Sequence, residues 1–130
     1  MGLPVAKRGD HVVGVDTHVL LIPSPGGPVP TPTPLPFNGV LADGLASSVQ
    51  VEHQPVATVD SVANNVPPHL PLGGPFQTPP ANKGSVTVGS STVLVEHKAI
   101  ARATDTVRCC NDPADSDTGH VIAVSTVFAG

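Results

Sequence analysis

Short runs of alternating apolar and polar residues recur along this chain and predict β-strands. Residues 47–51 and 91–95 carry valine at every second position, and residues 125–128 resemble the start of the same run. Side chains of a strand point alternately to opposite faces, so a period of two is typical of β-structure. The dipeptides Glu52-His53 and Glu96-His97 follow the first two runs and are expected at hairpin turns. Because no helical stripe exceeds about two turns, the pattern predicts an all-β protein.

A short phrase occurs three times and divides the chain into three related units. Its copies are Pro4-Val5-Ala6-Lys7-Arg8-Gly9-Asp10, then Pro55-Val56-Ala57-Thr58-Val59-Asp60, which is one residue shorter, and Ala99-Ile100-Ala101-Arg102-Ala103-Thr104-Asp105. Each unit predicts strand, tight turn, strand and loop, and three such units can close around a pseudo-threefold axis. The recurring Asp10, Asp60 and Asp105 are expected to cap turns.

Long loops rich in proline and glycine separate these units. Residues 23–36 hold prolines at short intervals and cannot form a helix, because proline removes a backbone donor and clashes in helix interiors. We expect this segment to be an extended, polyproline-like excursion. Residues 67–75 predict a second, similar loop.

The composition is that of one domain, residues 1–130, with little material for a core. The chain has no Trp or Tyr and only three Phe, and 12% of its residues are charged. Aromatic side chains bury the most area, so this fold needs another source of stability, and a metal bound only by the folded form would supply it. The net charge of −4 is too small to indicate disorder. Six Lys and Arg form no basic tract, which argues against nucleic-acid binding.

The N-terminal residues and the cysteines bear on location. The residues after Met1 lack the charged and apolar blocks of a signal peptide, and no apolar run approaches the ~18 residues of a membrane helix. The two cysteines are adjacent, and neighbouring residues rarely form an unstrained disulfide. We therefore expect synthesis and folding in a reducing cytoplasm.

Each copy of the phrase is followed by a residue that can bind metal. His18 follows the first copy, His69 the second and Cys109 the third, and His120 lies near the C-terminus. Three histidines and one cysteine make up a closed tetrahedral zinc site, with iron as the alternative metal. Cys110 remains an alternative to Cys109. A closed site has no open position for a reactive water, and no His-Glu-x-x-His motif or nucleophile elbow occurs, so we expect no enzyme.

These residues resemble the PAAR-repeat family, the tips of type VI secretion systems and related contractile injection machines. The family motif Pro-Ala-Ala-Arg followed by Gly-Asp is similar to Pro4-Val5-Ala6-Lys7 with Gly9-Asp10, and to Ala99-Ile100-Ala101-Arg102 with Asp105. Residues 89–98 resemble the family's Gly-Ser-x-Thr-Val hairpin, with Glu-His where its turn commonly has Asn-Gly, and residues 17–36 resemble a divergent PAAR-like branch.

The resemblance implies a small conical fold and a structural role. Its base would dock on a trimeric β-helical spike, one copy per trimer, and a metal near the apex would tie the converging chains together. Such a tip sharpens the spike for piercing a target membrane, with effector adaptation as a second role, and it is assembled on the injection particle and delivered outward. The family spacing Gly-Asp-x-x-x-Cys favours Cys109 over Cys110 as ligand, with His120 coming from the strand that closes the cone.

Two other functions stay open at this stage. One is a small zinc-dependent hydrolase, and the other is a module whose proline loops bind an aromatic groove of a partner protein. The sequence does not distinguish a secretion system from an extracellular injection particle or a phage tail. His11, His53 and His97 are expected to be exposed residues of turns or of the base.

Overall fold

A computed structural model describes residues 2–130, and all regular secondary structure in that range is β. No helix in that range could cross a membrane. The all-β class is therefore confirmed. The strands are β1 (Leu3–Pro4), β2 (His11–Ile22), β3 (Val29–Asp43), β4 (Ala46–Val51), β5 (Gln54–Val56), β6 (Val62–Asn65), β7 (Lys83–Val86), β8 (Leu94–Val95), β9 (Lys98–Ala99), β10 (Thr106–Cys109), β11 (Ser116–Ile122) and β12 (Phe128–Ala129).

Six strands close into a barrel, in the order β10, β11, β2, β3, β6, β7, with antiparallel pairing throughout. The barrel consists of three hairpins, β2–β3, β6–β7 and β10–β11, and each hairpin begins just after one copy of the repeated phrase. Inward-facing residues alternate along these strands and fill the interior. They include Val12, Phe37, Leu41, Val107 and Val121, all buried.

Three two-stranded units complete the fold, and they are equivalent in register. Val51 pairs with Gln54 in β4–β5, and Val95 pairs with Lys98 in β8–β9. The third unit pairs β12 with β1, strands from the two ends of the chain. A closed barrel joined to three such units is consistent with the expected cone.

The predicted turns are confirmed at Glu52-His53 and Glu96-His97. Both residues of each turn have positive φ, 52° and 68° in the first and 53° and 68° in the second. Two consecutive positive φ values define the type I′ turn, whose twist matches that of a β-hairpin. The turns also connect neighbouring units: Glu52 Oε2 accepts a hydrogen bond from Thr126 N at 3.0 Å, and Glu96 Oε2 accepts one from Ser48 Oγ at 2.6 Å. The hydrogen bonds from Ser48 lower the pKa of Glu96.

A cyclic set of backbone hydrogen bonds joins the three copies of the phrase. Ala6 N donates to Ala101 O at 2.9 Å, Ala101 N donates to Ala57 O at 2.8 Å, and Ala57 N donates to Ala6 O at 3.0 Å. All three alanines are fully buried. The pseudo-threefold arrangement is thus a closed ring of main-chain bonds, and it leaves room only for small side chains. We call these three residues the alanine ring.

The turn that follows the alanine ring is capped by a side chain in every copy. Asp10 Oδ2 accepts from Lys7 N at 2.9 Å, and Asp105 Oδ2 accepts from Arg102 N at 2.8 Å. Each carboxylate also pairs with the basic side chain of that same residue. The capping prediction is confirmed for these two aspartates.

The capping prediction is wrong for Asp60. In the second copy Ser61 Oγ accepts from the backbone N–H three residues earlier, at 2.9 Å. Asp60 instead has φ of 77°, which matches Gly9 (φ 89°) and Thr104 (φ 72°) in the other copies. The three copies therefore align without a gap, and the second copy only looked shorter because serine replaces the capping aspartate.

The proline-rich segment is extended, as predicted, but it is paired along its length. β3 forms a ladder with β2 that runs from His11↔Val40 to Ile22↔Val29. Along this ladder Thr31, Thr33 and Leu35 alternate with Pro30, Pro32, Pro34 and Pro36, and every one of these residues is paired with a residue of β2. Proline has no N–H to donate to a ladder. The four prolines therefore occupy the positions of β3 whose backbone groups point away from β2, towards the outer edge of the hairpin. The polyproline-like excursion is therefore one strand of a long hairpin.

The turn caps lead to a stability prediction. Asp105→Ala removes a buried acceptor and leaves the N–H of Arg102 unpaired, so we expect the free energy of unfolding to fall by about 1–3 kcal/mol. Asp60→Gly should leave it within ~0.5 kcal/mol or raise it, because glycine adopts positive φ without strain and the Lys98–Asp60 pair is exposed. Denaturant unfolding measures both values, and equal losses would contradict this account of the turn.

Candidate metal centre

Four buried side chains with metal-binding atoms converge inside the fold. They are Asp16, His18, His69 and Cys110, and one ligand atom from each lies within 4.8 Å of all the others. Asp16 is fully buried and His18 is 1% exposed. A buried carboxylate beside two imidazoles and a thiol is costly unless the groups are paired or bind a cation.

Each barrel hairpin contributes to this cluster. Asp16 and His18 stand two residues apart on β2 and therefore share its inward face. His69 belongs to the segment between β6 and β7, and Cys110 directly follows β10. A metal bound here would link all three repeats at a point distant in sequence from the alanine ring.

The separations suit a single ion. Asp16 Oδ2 is 2.8 Å from His69 Nε2 and 3.4 Å from Cys110 Sγ. Cys110 Sγ is 3.6 Å from His18 Nε2. Bonds of 2.0–2.3 Å in a tetrahedron place neighbouring ligand atoms roughly 3.3–3.8 Å apart. Two of these three separations match neighbouring ligands of a tetrahedral ion, and Asp16 and His69 would have to move slightly apart to bind it together.

The groups around the cluster hold two of the candidate ligands. Thr118 Oγ1 lies 3.4 Å from Asp16 Oδ1, whereas the contacts of Asp16 with His69 and Cys110 are made by Oδ2. His18 Nδ1 lies 3.5 Å from Asp112 Oδ2, and this ring nitrogen is the buried side-chain polar atom without a hydrogen-bond partner in residues 2–130. A buried ring nitrogen without a partner calls for an explanation, because a histidine that binds metal usually donates its second N–H to an acceptor.

Burial keeps the thiol protonated when no metal is bound. Burial, together with the nearby Asp16 carboxylate, raises the pKa of Cys110 to about 11. Only the thiolate binds a metal ion, so binding at this site must release a proton. The charge of the ion then stabilises the two buried anions, Asp16 and the thiolate, that otherwise repel each other.

The structure brings together two of the four ligands proposed from sequence, His18 and His69, and adds Cys110 rather than Cys109. Cys109 is the last residue of β10 and faces the barrel interior, in step with Val107. A Cβ placed on Gly119 would come within 2.6 Å of its sulfur, so Cys109 Sγ fills the space that this glycine leaves. Burial raises its pKa to about 12, which suits a packed thiol.

His120 does not join the cluster. It lies on β11 between Gly119 and Val121, both buried, and alternation therefore places it on the exposed outer face. The fourth member of the cluster is Asp16 instead of His120. Sequence reasoning missed Asp16, although its spacing offers a signal: Val12, Asp16, His18 and Leu20 share the parity of a buried strand face. A carboxylate at such a position needs a partner.

The other three histidines are exposed, as expected. His53 and His97 occupy the two type I′ turns, and His11 lies on the outer face of β2 with its Nδ1 3.0 Å from Asn38 Oδ1. Phenylalanine rings instead flank the cluster. Phe76 lies edge-on to His18 with ring centroids 6.0 Å apart, and Phe37 lies 6.3 Å from His69. These rings help keep water away from the buried donors.

The donor set suits a closed site. Two imidazoles, a thiolate and a carboxylate would fill all four coordination positions of a tetrahedral ion. No coordination position would then be free for substrate or water. Such a site stabilises the fold because the binding free energy adds to the folding free energy. Comparisons with known proteins add no assignment: no protein-family model matches the chain, and a search of curated proteins found no match.

The adjacent cysteines offer a matched test of this ligand set. We expect Cys110→Ser to lower zinc affinity by more than the roughly 10–100-fold that is typical when a residue hydrogen-bonded to a ligand is lost. The melting temperature of the zinc-loaded protein should also fall. Cys109→Ser should still bind one zinc per chain, although it disturbs packing. Native mass spectrometry with chelator competition measures both. Loss of zinc from Cys109→Ser but not from Cys110→Ser would restore the ligand set proposed from sequence.

Proposed function

We propose that this protein is a structural, metal-stabilised tip that caps the trimeric spike of a contractile injection machine. The observation that carries the proposal is the alanine ring with its three equivalent two-stranded units. A single chain with three related units can meet three identical protomers at once, with one unit facing each protomer. This resolves the symmetry mismatch between a monomer and a trimer without requiring three tips.

The exposed surface of the three units supports docking. Val49, Val93 and Val127 occupy equivalent positions in the three units and are 39%, 36% and 44% exposed. They lie two residues before the paired residues Val51, Val95 and Ala129. One apolar residue therefore recurs on the surface of every unit. Recurrence with the repeat is expected of a surface that contacts a threefold partner.

Two larger apolar residues extend this surface. Leu94 and Phe128 take the next position in the second and third units and are 65% and 60% exposed, whereas Gln50 takes it in the first. Exposed apolar patches on a monomer mark sites of association. We infer that the partner is the blunt end of a trimeric β-helical spike, and a stable contact there should bury more than ~1,000 Å².

Zinc is the metal that the donor set favours, with iron as the less suitable alternative. Zinc accepts nitrogen, sulfur and oxygen ligands in a tetrahedron and has no redox chemistry, which suits a purely structural role. His18 and His69 would bind through imidazole nitrogen, Cys110 through sulfur and Asp16 through oxygen. The ion would hold the three barrel hairpins together, in a protein whose core contains few aromatic side chains.

A structural role is also favoured over a zinc-dependent hydrolase. A hydrolase needs an open metal position for water or substrate. Here four buried side chains surround one point, and two phenylalanines stand beside them. The donor set therefore favours a metal that stabilises the fold over one that catalyses a reaction.

A second candidate, a protein-binding module, is favoured by one cavity. It measures about 280 Å³ and lies between Leu35 and Pro36 of β3 and the apolar residues Pro67, Leu70 and Leu72. An apolar side chain of a partner protein would fit there, and on an assembled tip this cavity is where an effector protein could attach. Effector adaptation would then accompany capping rather than replace it.

The proposal predicts the stoichiometry of assembly. We expect the free protein to be a monomer and to bind a trimeric β-helical spike as one copy per trimer, because its units already supply threefold repetition. Multi-angle light scattering of the protein alone and of the mixture measures both masses. A stable homotrimer of this chain, or three copies bound per spike, would contradict the proposal.

A pair of variants shows whether the repeated valines form the contact. Val93→Asp places a charge on the proposed docking surface and should weaken spike binding at least tenfold, which is ~1.4 kcal/mol. Val15→Asp is the control, because Val15 is an exposed residue of barrel strand β2 outside the two-stranded units. Equal affinity of both variants would show that the docking surface lies elsewhere.

A further inference from the structure

The tripeptide Cys110-Asn111-Asp112, which follows β10, contributes both to the candidate metal centre and to the edge of β2. β11 pairs with β2 only as far as Gly14, so the later residues of β2 need other partners on that side. Asn111 Oδ1 accepts from Thr17 N at 2.7 Å, and Asp112 N donates to Thr17 O at 2.8 Å. Asp112 Oδ2 accepts from Val19 N at 2.9 Å. Asn111 and Asp112 thus take the place of a neighbouring strand along this edge, through two side-chain bonds and one main-chain bond.

The same Asp112 oxygen also faces a metal-binding histidine. Asp112 Oδ2 lies 3.5 Å from His18 Nδ1, slightly beyond a normal N–H···O hydrogen bond, and this buried nitrogen has no other hydrogen-bond partner. The other ring nitrogen, Nε2, faces Cys110 Sγ at 3.6 Å. His18 therefore presents one nitrogen to the cluster and the other to a carboxylate.

We propose that Asp112 is a positioning residue that holds the proton of His18 on Nδ1 and leaves the lone pair of Nε2 free for the metal. The inference rests on the metal centre of the proposed function and adds a residue that touches no metal. A neutral imidazole carries its proton on one nitrogen only, and the partner of that nitrogen selects the tautomer. Asp112 Oδ2 lies 3.5 Å from Nδ1, whereas Cys110 Sγ lies 3.6 Å from Nε2, so the carboxylate of Asp112 is on the side of the ring away from the thiol.

Asp112 also couples metal binding to the position of the strand. The carboxylate accepts Val19 N from the residue next to His18, so the ring and the backbone that carries it share one anchor. Because Cys110 stands two residues earlier, the tripeptide supplies a ligand and a positioning group together. A shift of this tripeptide would displace Cys110 and release His18 at the same time.

The test compares two carboxylates that each accept a backbone N–H at 2.9 Å. Asp112→Ala removes the acceptor beside His18, and Asp10→Ala removes a similar acceptor in the turn of the first repeat, which contacts none of the four ligands. Zinc affinity by chelator competition should fall about 10–100-fold in Asp112→Ala and less than threefold in Asp10→Ala. Asp112→Asn keeps an acceptor oxygen without the charge, and we expect an intermediate loss.

Nitrogen NMR of the His18 ring provides a readout that a purely structural role would not move. In the zinc-loaded parent protein we expect Nδ1 to carry a slowly exchanging proton, and in Asp112→Asn that proton should exchange at least tenfold faster. The inference is overturned if Asp112→Asn and Asp112→Ala bind zinc like the parent, if Asp10→Ala loses as much affinity, or if the ring signals are unchanged. Failure of the parent protein itself to bind zinc would instead refute the metal centre of the proposed function.

Discussion

The fold depends on a closed cycle of three main-chain hydrogen bonds that joins the three copies of the repeated phrase. In the alanine ring each copy of the repeated phrase donates to one neighbour and accepts from the other, so no copy can be removed without opening the cycle. The small side chains are a condition of this closure, because any branch at Ala6, Ala57 or Ala101 would enter a space that is fully buried. Everything else extends from that ring: barrel hairpins on one side of each copy and two-stranded units on the other.

The candidate metal centre solves the problem that the ring leaves unsolved. Backbone closure fixes where the three hairpins start, but their far segments are joined by long connections with few large apolar side chains. Asp16, His18, His69 and Cys110 gather these segments around one point, where each hairpin supplies at least one donor. If a metal binds there, its binding free energy would replace part of the burial that a larger aromatic core would give. The same economy explains why polar groups, which are expensive to bury, lie so deep in a small domain.

Sequence patterns predicted the repeat, the β class and the two hairpin turns because each rests on local spacing. They also placed His18 and His69 near a common point. Strand alternation excluded the other two expected ligands: Cys109 precedes the candidate ligand Cys110 but points into the barrel, and His120 points to the surface. The third ligand depends on where β10 ends, and Asp16 carries no motif of its own. Ser61 shows the same limit, since a serine that caps a turn cannot be recognised without the hydrogen bond that it accepts.

The four prolines of β3 have a consequence for how these molecules behave at high local concentration. A strand with an open edge invites another molecule to continue the ladder, and a long flat edge is a known route to fibrils. Pro30, Pro32, Pro34 and Pro36 present carbonyl oxygens along that edge but no hydrogen to share, so an incoming strand could form at most half of its bonds. Such an edge therefore limits strand pairing between copies of this chain. The prolines that first suggested a loop instead protect a strand from its own copies.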